Sequence, residues 1–281
     1  MKTGSEIIID VLAEEGVETI FGYSGGAILP TYDEVFKYNE ANPKNPMPLI
    51  VPSNEQGAGF MASGYARSTG KPGVVMVTSG PGATNTVTPV RDAMADSIPM
   101  VIICGQVSRA AIGSDAFQEA PISSVMGSVA KHVFLITNEN KLAATLKAAF
   151  EVARSGRPGP VVVDIPKDIQ TAEISDEDHE EANIAAYANR ILAIEESRLS
   201  EEKSSEFFDH LSNSKKPLIY FGGGAISADA SEELREFVDY FNLPAVSTLM
   251  GLGAVDTQHP SSLHMLGMHG TPYANYAVQE S

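Results

Sequence analysis

The chain has 281 residues, 43% of them hydrophobic and 20% charged, which is enough for two domains with substantial cores. Its formal net charge of -17 repels phosphate backbones and anionic bilayers and argues against nucleic acid or a membrane surface as a partner. Cys104, the single cysteine, lies in the apolar run Met100-Val-Ile-Ile-Cys104 and reads as a small core residue. Without a disulfide, a long apolar span or a basic leader, the expected location is the cytoplasm.

Residues 5–15 place Ile7, Ile8, Val11 and Leu12 on one helical stripe, and Gly16 ends that helix before a short strand over 17–21. The loop Gly22-Tyr-Ser-Gly-Gly26 then feeds a helix from Ala27 to Tyr38. Its paired glycines serve either a tight turn or a close backbone approach to a ligand.

A second strand, 49–51, breaks at Pro52 and reopens as a helix with Glu55 in its first turn, capped by Ser53 or Asn54. Two readings of Glu55 stand side by side. It is a first-turn carboxylate favoured by the helix dipole, or a poorly solvated acid suited to proton transfer. The face behind it, Gly57, Ala58, Gly59, Ala62, Ser63, Gly64 and Ala66, is nearly free of side chains, so it suits close packing against a flat ligand or another subunit.

The uniformly apolar 73–78 predicts a central parallel strand running into Ser79-Gly-Pro-Gly-Ala-Thr-Asn85 and a helix to about Ala95. Residues 100–104 repeat the pattern and end at Gly105-Gln106. A long connection over 110–126, carrying Asp115-Ala-Phe-Gln-Glu119, reads as a semi-ordered loop over a site. A helix over 141–155, a turn at Gly156-Arg-Pro-Gly-Pro160 and a buried strand over 161–165 close the domain. Strands alternating with helices, each followed by a glycine turn, predict an α/β, doubly wound parallel sheet with ligands at the carboxyl ends of its strands.

Composition changes over 171–190, where Glu173, Asp176, Glu177, Asp178, Glu180 and Glu181 mark a solvated acidic linker. The run lacks the central glycine of a calcium loop. A second unit follows from about Ala185, with a helix near 200–211, a strand over 217–221, Gly222-Gly-Gly-Ala-Ile-Ser227, a helix over 231–241 and a strand over 245–248. Two further glycine turns, Met250-Gly-Leu-Gly253 and Leu266-Gly-Met-His-Gly270, precede a terminal helix over 272–279. Three glycine-rich strand ends so close together predict an extended nucleotide-like ligand. The expected domains are 1–170, a linker over 171–190, and 191–281 as part of a second doubly wound unit.

The motifs Phe21-Gly-Tyr-Ser-Gly-Gly-Ala-Ile-Leu-Pro30, Asn54-Glu-Gln-Gly-Ala58, Thr78-Ser-Gly-Pro-Gly-Ala-Thr-Asn85, Gly113-Ser-Asp-Ala-Phe-Gln-Glu119, Ser155-Gly-Arg-Pro-Gly-Pro160 and Met265-Leu-Gly-Met-His-Gly270 occur in this order. Together they resemble the catalytic subunit of the acetohydroxyacid (acetolactate) synthases, thiamine-diphosphate enzymes. The resemblance covers essentially the whole chain. It implies a pyrimidine-binding domain and part of a central FAD-binding domain, with no counterpart here to the third, pyrophosphate-binding domain that carries the Mg2+ ligands.

By that resemblance Glu55 hydrogen-bonds the cofactor's aminopyrimidine and promotes loss of the thiazolium proton. Tyr23, Gly25, Gly26, Pro81, Asn85 and Gln118 would line the cofactor pocket, with Phe117 and Lys167 beside the substrate channel. Arg157, Gly222, Gly223, Gly224, Thr248, Leu249, Met250, Leu266, Gly267, Met268 and His269 would hold FAD; no metal ligand is assigned to this chain. Ser24 stands where the family usually has Pro, and Met250 where it usually has Gln.

The implied activity is decarboxylation of pyruvate and carboligation to a second 2-oxo acid, in a homodimer or tetramer with a regulatory small subunit as a further partner. The chain alone, lacking the metal site, is expected to be inactive. Two alternatives remain at this level: a related decarboxylase or carboligase without FAD, and a non-catalytic pair of domains that dimerises or regulates.

Overall fold

The computed structural model describes residues 1–175, 180–182, 187–189, 193 and 199–281. It divides into two compact units, Met1–Glu196 and Ser197–Ser281. Asp176, Glu177 and Asp178 of the expected linker, and Ala185, where the second unit was expected to begin, lie outside the described residues.

The first unit opens with β1 (Lys2–Thr3) and α1 (Gly4–Glu14). Thr3 and Glu6 form a reciprocal capping box, which fixes the helix start one residue ahead of Ser5. Next come β2 (Ile20–Tyr23), α2 (Leu29–Ala41), β3 (Leu49–Ile50), α3 (Glu55–Thr69) and β4 (Gly73–Val77). The strand expected over 17–21 therefore starts three residues later and ends two later. Its register is set by β4, against which Ile20, Phe21, Gly22 and Tyr23 pair with Val74, Val75, Met76 and Val77.

The single helix expected after Ser79 is instead two, α4 (Pro81–Thr84) and α5 (Val87–Asp96). Thr86 turns its hydroxyl back to the carbonyl of Ala83 at 2.7 Å, closing the first helix before the second begins. β5 (Met100–Gln106) follows, and the long connection is ordered at its far end as α6 (Ile122–Gly127).

An unanticipated edge strand, β6 (His132–Leu135), precedes α7 (Leu142–Arg154), β7 (Pro160–Pro166), α8 (Lys167–Thr171) and β8 (Glu173–Ile174). β6 is at most half-buried and shows no two-residue alternation, so the usual strand signal is missing there. β8 pairs antiparallel with β1, so the start of the expected linker folds back on the domain.

The six main strands lie in the order β3-β2-β4-β5-β7-β6, every neighbouring pair parallel. Fully buried runs such as Val74 to Val77 and Val161 to Val163 require both faces of the sheet to be covered. Helices α1, α2, α7 and α8 pack together on one side; α3, α5 and α6 cover the other.

Ala58, Gly59, Ala62, Ser63 and Ala66 face inward, Ala62 being fully buried. These five residues of the small-residue face, expected to meet another subunit, are thus core of their own domain, whereas Gly57 is half-buried and Gly64 exposed. A Cβ on Gly59 would lie 2.3 Å from Pro89 of α5.

The second unit has α9 (Glu201–Asn213), β9 (Ile219–Phe221), α10 (Gly223–Ser227), α11 (Ser231–Phe241), β10 (Ala245–Ser247), β11 (Ser262–Met265) and α12 (Pro272–Glu280). Its three strands are parallel, in the order β11-β10-β9. No helix among the described residues is long and apolar enough to cross a membrane.

Candidate cofactor site

The chain passes from β2 outward to β3 and returns to place β4 on β2's other side, which makes the carboxyl ends of β2 and β4 a topological switch point. The sequence-predicted residues gather there. Tyr23 ends β2 and Ser24, Gly25 and Gly26 follow it, Glu55 follows β3, Pro81 and Asn85 follow β4, Phe117 and Gln118 follow β5, and Lys167 follows β7.

Glu55 is the first residue of α3, whose cap is the Asn54 side chain accepting from Gly57 N–H at 2.8 Å. Capping therefore does not need Glu55, whose carboxylate turns sideways to accept from Asn85 Nδ2 at 2.9 Å. Gly82 faces the same group: a Cβ there would lie 2.6 Å from Thr78 Cγ2 and 3.7 Å from Glu55 Oε1.

Close approach is a repeated feature of this edge. A Cβ on Gly25 would meet the Thr78 side chain at 2.5 Å, and one on Gly22 would meet Met76 O at 2.2 Å and the Tyr32 hydroxyl at 2.3 Å. Thr78 Oγ1 accepts from Ala27 N–H at 3.2 Å, tying the first glycine loop to the second. Tyr32 donates to Met76 O at 2.8 Å; burial, and then the Glu55 charge, push its phenol upward, so it stays a neutral donor.

Gly80 takes φ +54° with the Gln118 carbonyl 2.5 Å from where a Cβ would stand, which brings the Pro81 turn against Gln118. Gln118 itself has φ 57° and Asp115 φ 55°. That coil is held by Glu119, whose carboxylate accepts from Gly113 N–H and, at 3.0 Å, from Ala116 N–H. These backbone bonds hold its acid below the ordinary range.

At the loop's start, Arg109 bonds Asp168 at 2.7 Å and Glu139 at 2.6 Å. Burial pulls the Asp168 acid upward, but the Arg109 bonds override it and the net direction is down. Phe117 is 87% exposed and Tyr23 39% exposed, so both rings stand in water at the carboxyl edge of the sheet.

Arg157 stands apart. It precedes β7 at the opposite, amino edge of the sheet, where its guanidinium donates to Ser97 Oγ at 2.8 Å and to the Met94 and Ala95 carbonyls at the end of α5.

In the second unit the glycine loops again follow the strands: Gly222, Gly223 and Gly224 after β9, Thr248, Leu249 and Met250 after β10, and Leu266, Gly267, Met268 and His269 after β11. The first two touch, since a Cβ on Gly223 would lie 2.9 Å from Met250 Cβ. The third is pinned by Asn275, which accepts from Gly267 N–H at 2.8 Å and donates to its carbonyl at 3.0 Å.

Sequence reasoning left Tyr32, Thr78, Glu119 and Asn275 out of the site. Thr78 and Glu119 stand at the ends of quoted motifs, whereas Tyr32 and Asn275 sit inside helices with no local signal. Among the described residues, no three His, Cys, Asp or Glu side chains group as a metal site.

An all-parallel sheet with glycine loops around one oriented carboxylate at its switch point defines a cofactor-binding α/β protein. Residues 2–127 match the thiamine pyrophosphate enzyme N-terminal TPP binding domain, and residues 205–281 the thiamine pyrophosphate enzyme central domain. The chain belongs to the thiamine pyrophosphate enzymes. It is 43% identical over 281 residues to the mitochondrial acetolactate synthase catalytic subunit of Saccharomyces cerevisiae, covering 99% of this chain and 40% of that protein. It is 44% identical over 281 residues to the chloroplastic acetolactate synthase of Arabidopsis thaliana, covering 100% of this chain and 40% of that one. With the acetolactate synthase large subunit of Corynebacterium glutamicum the identity is 44% over 279 residues, covering 99% and 43%. The chain thus spans under half the length of these relatives.

Proposed function

We propose that these residues form the pyrimidine-binding part, 1–170, and a portion of the flavin-binding part, 191–281, of an acetolactate synthase-type carboligase acting on pyruvate and a second 2-oxo acid. The observation that carries the reading is the Glu55 carboxylate, released from capping and held by Asn85 beside the glycine turn after β4.

Thiamine diphosphate, when bound, supplies the carbon nucleophile and the electron sink for loss of carbon dioxide from a 2-oxo acid. Glu55 is placed to exchange a proton with the pyrimidine ring, and Asn85 fixes which carboxylate oxygen is free to do so. Gly25 and Gly82 let a flat ring approach the backbone, while Phe117, Gln118 and Lys167 face the acceptor's side of the crevice.

An FAD would be held by the three touching or pinned loops of the second unit; Arg157, which the resemblance also assigned to FAD, is engaged by Ser97, Met94 and Ala95 within the first unit and is not counted toward it. Ser24 and Met250 change two loop contacts without removing an ionisable group. Among the described residues no group of three His, Cys, Asp or Glu side chains offers itself to Mg2+, so the metal and the diphosphate are assigned to no residue of this chain.

A homodimer or tetramer, an accessory regulatory subunit and a cytoplasmic location complete the proposal; the last rests on Cys104 being a lone buried thiol. An FAD-free carboligase and a non-catalytic domain pair are separated from it by flavin absorbance of the purified protein and by turnover. In the intact protein carrying these residues, Glu55→Gln should cut acetolactate formation by about 10² to 10⁴-fold. Near-normal turnover would reduce Glu55 to a helix-end charge.

A further inference from the structure

The buried polar cluster at the carboxyl ends of β5 and β7 takes no part in the chemistry above. Gln106, the last residue of β5, is 3% exposed, and its amide is engaged in three directions. Its Oε1 accepts from Val107 N–H at 2.8 Å, while Nε2 donates to the Ala120 carbonyl at 3.2 Å and to Asp164 Oδ2 at 2.9 Å. Val107 and Ala120 are the two ends of the connection that carries Phe117 and Gln118. One side chain therefore closes that loop at its base.

Asp164 is the anomaly. It lies in the middle of β7 at 1% exposure, among Val161, Val162, Val163 and Ile165, all fully buried, and its Oδ1 has no hydrogen-bond partner. Its neighbour on β5 is Cys104. A valine here would pack without the cost of desolvating a carboxyl group, so the acid needs a local justification.

Gln106 supplies one. A glutamine amide is nearly symmetric in shape, and turned over it would point its oxygen at the Ala120 carbonyl and its NH2 at Val107 N–H, two repulsive pairs. An acceptor at position 164 adds a third attractive contact to the orientation that those two backbone groups favour, and a flip would then cost all three. We propose that Asp164, acting through the Gln106 amide, is a positioning residue that holds loop 107–120, and with it Phe117 and Gln118, at the crevice. Only the functional consequence rests on the reading of that loop as part of the cofactor site; the clamp itself does not.

The test is amide hydrogen exchange of the 281-residue protein, read by peptide. Asp164→Asn keeps an acceptor oxygen for Gln106, so loop 107–120 should exchange as in the unaltered chain. Asp164→Val removes the acceptor, and Gln106→Met removes all three bonds. Each should speed exchange over 107–120 by about tenfold or more while peptides from β4 and β7 keep their protection.

If Asp164→Val fails to fold, Gln106→Glu asks the same question from the other side. It faces two carboxyl groups at each other and should loosen the loop, and the double variant Gln106→Glu with Asp164→Asn, which reverses donor and acceptor, should recover part of the protection. An unchanged loop in the Met variant, equal loosening of loop and strands, Asp164→Asn behaving like Asp164→Val, or no recovery in the double variant overturns the proposal. Loss of thiamine diphosphate binding with the clamp intact would instead count against the proposed function alone.

Discussion

Asn85 Nδ2 donates to Glu55 Oε2 at 2.9 Å, joining the turn after β4 to the first residue of α3 and leaving the second carboxylate oxygen free. Asn85→Ala should therefore lower turnover of the intact protein by less than Glu55→Gln does, about tenfold against about 10² to 10⁴-fold, because it disorders the acid without removing it. Asn85→Asp separates orientation from charge. Two carboxyl groups at hydrogen-bond distance cannot both ionise freely, so the acidic limb of the pH–rate profile should move to higher pH. A profile that stays in place would mean the two groups do not meet in solution.

Gly80 bears on the Gln118 side of the same crevice. Its φ of +54° strains any L side chain, and a Cβ would stand 2.5 Å from the Gln118 carbonyl. Gly80→Ala should destabilise the first unit by about 1 to 3 kcal/mol and displace the loop. Gly64 is the control: it is helical, and nothing lies within 4 Å of a Cβ there. Gly64→Ala should be neutral or stabilising by about 0.5 to 1 kcal/mol, giving urea midpoints that move in opposite directions.

These glycines also show how far the sequence could be read. The alternation of apolar runs and glycine turns located most of the parallel strands and pointed to their carboxyl ends, because strands buried on both faces advertise themselves; Asn85 and Gln118 were named only through the family resemblance. What escaped was set by contacts between a loop and the helix after it, which follow no periodic pattern. Tyr32 matters because Gly22 leaves room for its hydroxyl, and Asn275 because Gly267 lies opposite it; neither pairing has a local pattern. β6 and β11 were missed for a related reason. Both are edge strands, only partly buried, and His264 in β11 has φ 63°. The inward turn of Ala62 was likewise hidden, since a face of small residues suits either core or interface.

Asp164 gives the clearest pH signature. Burial pushes its acid up to about 7, against the opposing Gln106 bond, from an ordinary value of 3.8. The neighbouring Cys104 thiol is held well above its usual range by burial and then by Asp164, so it stays neutral throughout this window. Between about pH 4 and 7 the folded state keeps a proton that the unfolded chain has lost. Stability from this group is full below about pH 4 and declines as pH rises to about 7. Glu6, Glu119 and Asp168, whose acids are lowered, work in the opposite direction, so the variant must be compared with the unaltered chain at each pH. The stability of Asp164→Asn relative to the parent should rise by roughly 4 kcal/mol between pH 4 and 8, about three pK units at 1.36 kcal/mol each. A flat difference across that range would place Asp164 in contact with water.

The proposed self-association can be tested on the two faces of α3. Ala62 is fully buried, and its carbonyl lies 2.2 Å from where a Cβ on Gly73 would stand, so Ala62→Leu overpacks the domain's own core. It should lower stability by about 1 to 3 kcal/mol and leave the sedimentation of the folded protein unchanged. The apolar surface of this region lies elsewhere: Ile50 is 42% exposed, Val51 57%, Phe60 41% and Met61 44%, all close in sequence to Glu55. Large apolar side chains left in water next to the proposed cofactor site suit a second copy of the chain as their cover. Phe60→Asp places a charge on that surface without touching the core, so it should shift a self-associating sample toward monomer at matched concentration while its urea midpoint, measured on the monomer, stays within about 0.5 kcal/mol of the parent. If Ala62→Leu dissociates the protein and Phe60→Asp does not, the interface lies on the small-residue face after all; if neither changes a stable dimer, it lies away from α3.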